Sequence, residues 1–321
     1  MPRAKTSPQA EDLADIARLL ERMRAGERRA ISRAVTELER LSPIAPRLLE
    51  AMRPLLGKAM VVGFTGPPGA GKSTLVNAYT RYARERGRSV GIIAVDPSSP
   101  VSGGAILGDR VRMTATLDDD GVFMRSLASR GHLGGLCPAA VRIIDALDAA
   151  GKDLILIETV GTGQSEIDVA EVADVRILVT APGLGDDIQA MKAGLIEIAD
   201  VLVVNKADRE GADRTLYQLK GALSLRTGES AQVPVLKTTA STGAGVAELD
   251  AAIAAVAARR LAGDPAERRR RRARYLIARA AAERIARRVK EGGGGSLDEL
   301  ADAVLSGALS PDDAARRLFE T

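Results

Sequence analysis

The chain has 321 residues, 45% hydrophobic and 27% charged, a balance that fits a soluble globular protein with room for one large α/β domain and helical additions. Its 46 Lys and Arg against 42 Asp and Glu leave a formal charge of +4, and 2% aromatic residues without any Trp exclude a stacking platform for single-stranded nucleic acid. Cys137 and His132 are single residues of their types, so an internal disulfide and a Cys/His metal cluster are both excluded. No apolar run reaches the length of a membrane span and the first residues lack a signal-peptide core, so a cytoplasmic protein with no membrane contact is expected.

Residues 1–58 read as a helical extension. Leu13, Ile16, Ala17 and Leu20 fall at helical spacing, Gly26 stops that helix, and Ile31, Val35 and Leu38 form a second stripe that ends near Ser42-Pro43. Over 59–262, apolar runs at 60–65, 90–95, 122–126, 154–159, 175–180, 201–205 and 233–238 alternate with helical segments. Runs that are apolar throughout and separated by helices predict a mainly parallel sheet with helices on both faces, whose ligands bind at the carboxyl ends of the strands.

The first run leads directly into Gly66, Pro67, Pro68, Gly69, Ala70, Gly71, Lys72 and Ser73, a full match to G-x-x-x-x-G-K-[ST], with Thr74 opening a helix over 74–86. Glycines let backbone amides converge on a polyphosphate, and the helix start adds its positive end. Lys72 supplies a charge at the β- and γ-phosphates and Ser73 a hydroxyl for Mg²⁺. This pattern predicts a P-loop NTPase.

At the end of the second run, Asp96 opens Asp-Pro-Ser-Ser-Pro, and Asp109 follows a glycine-rich stretch. Either carboxylate could hold Mg²⁺ through water or orient an attacking water; the alternatives are an Asx-Pro turn at Asp96 and a helix cap at Asp109. The fourth run ends in Glu158-Thr159-Val160-Gly161, which resembles the D-x-x-G element of GTPases with Glu158 in place of the aspartate. Glu158 is expected to reach Mg²⁺ through water and the Gly161 amide to sense the γ-phosphate. Thr162 stands where Ras-type enzymes carry a water-positioning glutamine, so weak intrinsic hydrolysis is expected.

Asn205, Lys206 and Asp208 complete an N-K-x-D element at the end of the sixth run. The Asp208 carboxylate matches the two donors of guanine N1–H and N2–H₂, which adenine lacks. Thr239, Ala240 and Ser241 stand where the fifth GTPase element supplies amides to guanine O6. Residues 263–321 form a C-terminal helical arm: after Arg268 to Arg272, Ile277, Ala281, Ile285 and Val289 recur every fourth residue, until the glycines from Gly292 to Gly295 break the helix. The arm reads as a charged solvated face, a dimerisation element or a nucleic-acid contact.

Taken together, GPPGAGKST, AVDPSSPVSGGAILGDR, ETVGTGQSE, APGLGDDIQAMKAG and NKAD resemble the MeaB/ArgK family of GTPases, in the SIMIBI class that also holds the signal-recognition and HypB GTPases. The resemblance spans most of residues 9–260. It implies a GTP-binding, GTP-hydrolysing chaperone that gates cofactor loading of adenosylcobalamin-dependent methylmalonyl-CoA mutase and protects that enzyme. It further implies a homodimer built through the arm, Mg²⁺ held near Ser73, Asp96, Asp109 and Glu158, and a third switch loop over 185–192 containing Asp186 and Lys192. Because His132 stands in Arg-Gly-His-Leu-Gly rather than D-x-H-x-x-G, cobalamin bound through a histidine ligand is not expected. Two other readings are a P-loop kinase or ATPase acting on a small metabolite, as in the family's older transport-kinase naming, and a GTP-controlled adaptor with negligible hydrolysis.

Overall fold

The computed structural model describes residues 8–96, 118–128, 138–159, 168–169, 171–184, 194–224, 233–260, 265–290 and 295–320. They fall into two compact units, Met1–Arg272 and Ala273–Thr321.

The first unit is built on a seven-stranded sheet of β1 (Met60–Thr65), β2 (Val90–Asp96), β3 (Val122–Ala128), β4 (Leu154–Thr159), β5 (Val175–Thr180), β6 (Val201–Val204) and β7 (Val235–Lys237). The order is β3-β2-β4-β1-β5-β6-β7, and every pair is parallel. The chain leaves β1 for one edge and later returns to its other side at β5, so the order reverses around β1 and opens a crevice at its carboxyl end. The last strand is shorter than its apolar run: Pro234 accepts from Leu202 N–H but has no N–H to give, and the ladder begins at Val235.

Strand alternation assigns the two faces. Val62, Phe64, Leu156, Ile177, Val179 and Val203 bury themselves against α4 (Lys72–Glu85) on one face, with Leu249 and Ile253 of a helix over Val246–Arg260 in the same cluster. On the other, Leu178, Leu202 and Val204 meet Leu219 and Leu223 of the helix Ala212–Ser224. A Cβ on Gly91 would lie 2.8 Å from Leu147 of the helix Pro138–Ala149, which therefore sits close against β2.

Three further helices precede β1: α1 (Pro8–Arg24), α2 (Arg28–Arg40) and α3 (Ala45–Met52). Ile31, Val35 and Leu38 are buried as their spacing predicts. The α1 stripe is displaced: Leu13 is 59% exposed and Ala17 is exposed, whereas Ile16, Leu19 and Met23 are buried. Asp148 fixes the entry to β1 by accepting from the amides of Gly57, Lys58 and Ala59 at 2.5, 3.2 and 2.9 Å.

The helix Pro265–Lys290 begins in the first unit. Three arginines of its first turns converge on one buried carboxylate. Arg272 lies 3.1 Å, Arg268 3.5 Å and Arg271 3.6 Å from Asp174, while Arg271 and Arg272 also donate to the carbonyls of Ala173 and Val172 at 2.9 Å. Asp174 in turn accepts from Val61 N–H of β1 at 2.9 Å and is 1% exposed. The second unit holds the rest of that helix with the helices Gly295–Leu305 and Pro311–Glu320. Ile277 is 69% and Val289 43% exposed there. No helix among the described residues is long and apolar enough to cross a membrane.

Candidate functional site

The carboxyl ends of β1, β4, β6 and β7 bring together segments that are far apart in sequence. β1 ends at Thr65, and the loop from Gly66 to Gly71 carries the chain into α4, which starts at Lys72, two residues before its expected start. Gly66 and Gly71 have φ of 137° and 85°, and added Cβ atoms would lie 2.0 Å from Val179 O and 2.5 Å from Asn205 Nδ2. Glycine is required there by backbone angle and by space together.

Asn205 holds the loop in this shape. Its Nδ2 donates to Ala70 O at 2.9 Å and Gly71 O at 3.3 Å, and its Oδ1 accepts from Thr238 Oγ1 at 3.1 Å and Ala240 N–H at 3.2 Å. One 1%-exposed amide thus joins the phosphate loop to the segment after β7. A planar peptide points its C=O and N–H in opposite directions, so carbonyls held on Asn205 turn the amides of Gly71 and Lys72 away from it. Pro67 and Pro68 have no N–H, so beyond Gly66 the loop's anion donors lie in its second half and the first turn of α4.

Two lysines close over the same loop. Lys72 Nζ donates to Gly66 O at 2.7 Å and Pro67 O at 3.0 Å, and Lys206 Nζ donates to Gly69 O at 2.7 Å. Lys206 takes a left-handed φ of 55°, an unusual conformation outside glycine, immediately before the turn that carries Asp208. Asp208 is exposed, as are Thr74 and Ser241, whereas Ala240 is buried. Thr239 pairs with Ala244 in an isolated bridge, and Ala207 N–H donates to Thr238 O at 3.0 Å, so the N-K-A-D turn and the segment after β7 are tied side by side.

At the head of α4 the Ser73 hydroxyl donates to Glu158 Oε1 at 2.5 Å, and both residues are buried. The register of β1 with β4, which sets Phe64 beside Glu158, makes this contact possible. With its proton committed to the carboxylate, the Ser73 oxygen keeps lone pairs for a cation, and hard oxygen donors beside a buried negative charge fit Mg²⁺. Asp96 closes β2 on the far side of β4. Asp109, Gly161, Asp186 and Lys192, with Cys137 and His132, lie outside the described residues. Among the described residues no group of three His, Cys, Asp or Glu side chains is placed to hold a metal.

The brace made by Asn205 is more extensive than its motif alone reveals, and the Asp174 arginine cluster escaped sequence reasoning altogether. The signal for the first lay in Thr238, whose hydroxyl is near Asn205 only once β6 and β7 pair. For the second, five consecutive arginines were visible, but their partner lies 98 residues away.

The family model of "Methylmalonyl Co-A mutase-associated GTPase MeaB" matches residues 31–293. A Pyrococcus horikoshii protein named as a GTPase is 52% identical over 235 residues, covering 72% of this chain and 74% of its own. The Escherichia coli protein named GTPase ArgK is 43% identical over 199 residues, 61% of this chain and 60% of its own. A mouse protein named methylmalonic aciduria type A homolog, mitochondrial, is 36% identical over 243 residues, 70% of this chain and 59% of its own. A solved structure described as a LAO/AO transport system kinase superposes with a TM-score of 0.75 at 28% identity, covering 96% of this chain and 97% of that one.

Proposed function

Because the chain belongs to the MeaB family of methylmalonyl-CoA mutase-associated GTPases, we propose that it is a guanine-nucleotide-gated chaperone that controls cofactor loading of an adenosylcobalamin-dependent methylmalonyl-CoA mutase and protects that enzyme. Its reaction is hydrolysis of GTP to GDP and phosphate. The observation that carries the reading is the Asn205 brace, which puts an N-K-x-D turn against the phosphate loop and so spaces a base contact from a phosphate contact.

In this reading residues Gly66 to Thr74 cradle the phosphates, with Lys72 exchanging loop carbonyls for phosphate oxygens. Ser73, with Glu158 behind it, would hold Mg²⁺, with Asp96 and Asp109 as the further candidate carboxylates, and the ion would supply Lewis-acid charge to the phosphates. Asp208 accepts from guanine N1–H and N2–H₂; the Thr239 and Ala240 amides, expected at O6, are given instead to Ala244 O and Asn205 Oδ1, which leaves the Ser241 amide of that segment to meet O6. Water attacks the γ-phosphorus in line, the bond to the β–γ bridging oxygen breaks, and GDP leaves with that electron pair. The Gly161 amide reports loss of the γ-phosphate, and the loop over 185–192 carries that signal to the mutase. Thr162 has no side-chain carboxamide to position water, so turnover is slow until the partner completes the site. The exposed Ile277 and Val289 support a homodimer formed through the C-terminal arm in a cytoplasmic protein.

The test is GTP turnover by purified protein with and without the cognate mutase, together with affinities for GDP and ADP. Faster turnover with the mutase and a preference for GDP support the proposal. A preference for ADP with phosphate transfer to a small acceptor would replace it with the kinase reading that the solved relative's name carries.

A further inference from the structure

The three adjacent strands at the centre of the crevice, β4, β1 and β5, each end in a threonine: Thr159, Thr65 and Thr180. All three are buried, at 0%, 4% and 1% exposure. Their neighbours Phe64 and Val179 belong to the core shared with α4, so strand alternation puts Thr65 and Thr180 on the opposite face; Thr159 follows Glu158, which reaches Ser73 on the α4 side, and so joins them. Thr159 Oγ1 lies 3.4 Å from Thr65 Oγ1. Thr180 Oγ1, fully buried, has no hydrogen-bond partner among the described residues.

The backbone on either side of this hydroxyl touches both halves of the nucleotide site. Val179 O sits 2.0 Å from where a Cβ on Gly66 would project, so the phosphate loop starts directly over β5. Asn205 N–H donates to Thr180 O at 2.8 Å, and Asn205 is the residue that braces the loop. A buried hydroxyl without a partner opposes folding, and valine would fill the same volume without that penalty. With no partner among the described residues, the hydroxyl is of use where another state of the protein satisfies it.

We propose that Thr180 is a positioning residue of the GTPase cycle, whose hydroxyl gains its hydrogen bond when nucleotide fills the crevice and thereby favours the loaded arrangement of the strand ends. The inference rests on the guanine-nucleotide reading above. Nucleotide that draws the phosphate loop and the Asn205 turn toward itself moves the two segments to which the Thr180 backbone is attached, and a change in their spacing is what gives the hydroxyl access to a partner.

The test compares wild type, Thr180→Val and Thr180→Ser by thermal unfolding without nucleotide, with GDP and with a slowly hydrolysed GTP analogue, alongside nucleotide affinity and kcat. Thr180→Val is expected to raise the unfolding temperature of the nucleotide-free protein, to shrink the increment that nucleotide adds, and to weaken nucleotide affinity by about 5-fold, the worth of one neutral hydrogen bond. Thr180→Ser, which keeps the hydroxyl, is expected to restore the affinity. Equal increments in wild type and Thr180→Val, or a nucleotide-free Thr180→Val less stable than wild type, would overturn the inference, the second because the hydroxyl would then already be satisfied. A wild type that gains no stability from guanine nucleotides would instead overturn the reading on which the inference rests.

Discussion

The Ser73 hydroxyl and Glu158 Oε1 stand 2.5 Å apart, joining the first turn of α4 to the end of β4 across 85 residues of sequence. In the proposed Mg²⁺ site this hydrogen bond would leave the lone pairs of the serine oxygen for the cation, and the carboxylate would supply compensating charge. Glu158→Gln keeps the shape and removes the charge. It is expected to lower kcat for GTP by about 100-fold or more, the scale seen when charge stabilisation of a transition state is lost, while GDP binding without Mg²⁺ changes little. A titration of turnover against Mg²⁺ checks this, and an unchanged Mg²⁺ dependence would remove Glu158 from the metal site.

Asn205 is the mechanical counterpart of that pair. Its amide makes contacts to Ala70, Gly71, Thr238 and Ala240, all around a buried residue, so Asn205→Ala leaves several polar groups without partners. The expected cost is about 2–4 kcal/mol of stability. Affinity for GDP should fall as well, because the loop and the base element lose their shared brace. Asp208→Asn separates the two effects. Asp208 is exposed and its carboxylate has no hydrogen bond or ion pair among the described residues, so that variant should unfold like wild type but lose its preference for GDP over ADP, by roughly 10⁴ at the extreme. Chemical unfolding and competitive nucleotide binding measure both.

Much of this site was legible because its chemistry lies in contiguous runs. The phosphate loop needs its glycines, lysine and serine in one turn, and the strands of a sheet covered on both faces are apolar throughout, so neither depends on long-range knowledge. What could not be read were contacts set by packing. The α1 stripe is regular enough to choose either of two phases, and the structure buries Leu19 and Met23 rather than Leu13 and Ala17. The run of arginines was open to reading as a solvated face, a dimerisation element or a nucleic-acid contact, none of which pairs it with a buried carboxylate. Only the pairing of β1 with β5, which brings Asp174 to the foot of β1, turns three of them inward.

Asp174 therefore carries more than a sequence reading would assign it. Three guanidinium groups and the Val61 amide share one carboxylate that is 1% exposed, at the end of the sheet away from the nucleotide crevice. Removing one partner of a buried ion cluster leaves the rest uncompensated. Asp174→Ala is accordingly expected to cost about 3–5 kcal/mol in denaturant unfolding. Arg270→Ala, which removes an exposed pair with Glu267, should cost under about 1 kcal/mol. Similar losses for the two variants would show that the cluster adds nothing beyond an ordinary surface pair.

Beside this cluster, Asp145 gives the protein a pH dependence of definite sign. Burial raises its pKa from 3.8 to about 6; Arg272 and Arg269 pull it down, and Asp148 pushes it up. The folded protein thus holds a proton between about pH 4 and 6 that the unfolded chain has already released, so stability falls as pH rises through that window. Above the folded pKa the penalty is complete, at about 2–3 kcal/mol for a shift of this size. Asp145→Asn is neutral at every pH and cannot contribute that slope. Subtracting its unfolding free energy from that of wild type between about pH 4 and 7.5 should leave a curve in which wild type loses ground steadily up to about pH 6 and then levels off. The other titrating groups are common to both proteins and cancel in the difference. A flat difference curve would place the Asp145 pKa near its ordinary value, and a curve of opposite slope would mean that Arg272 and Arg269 outweigh burial.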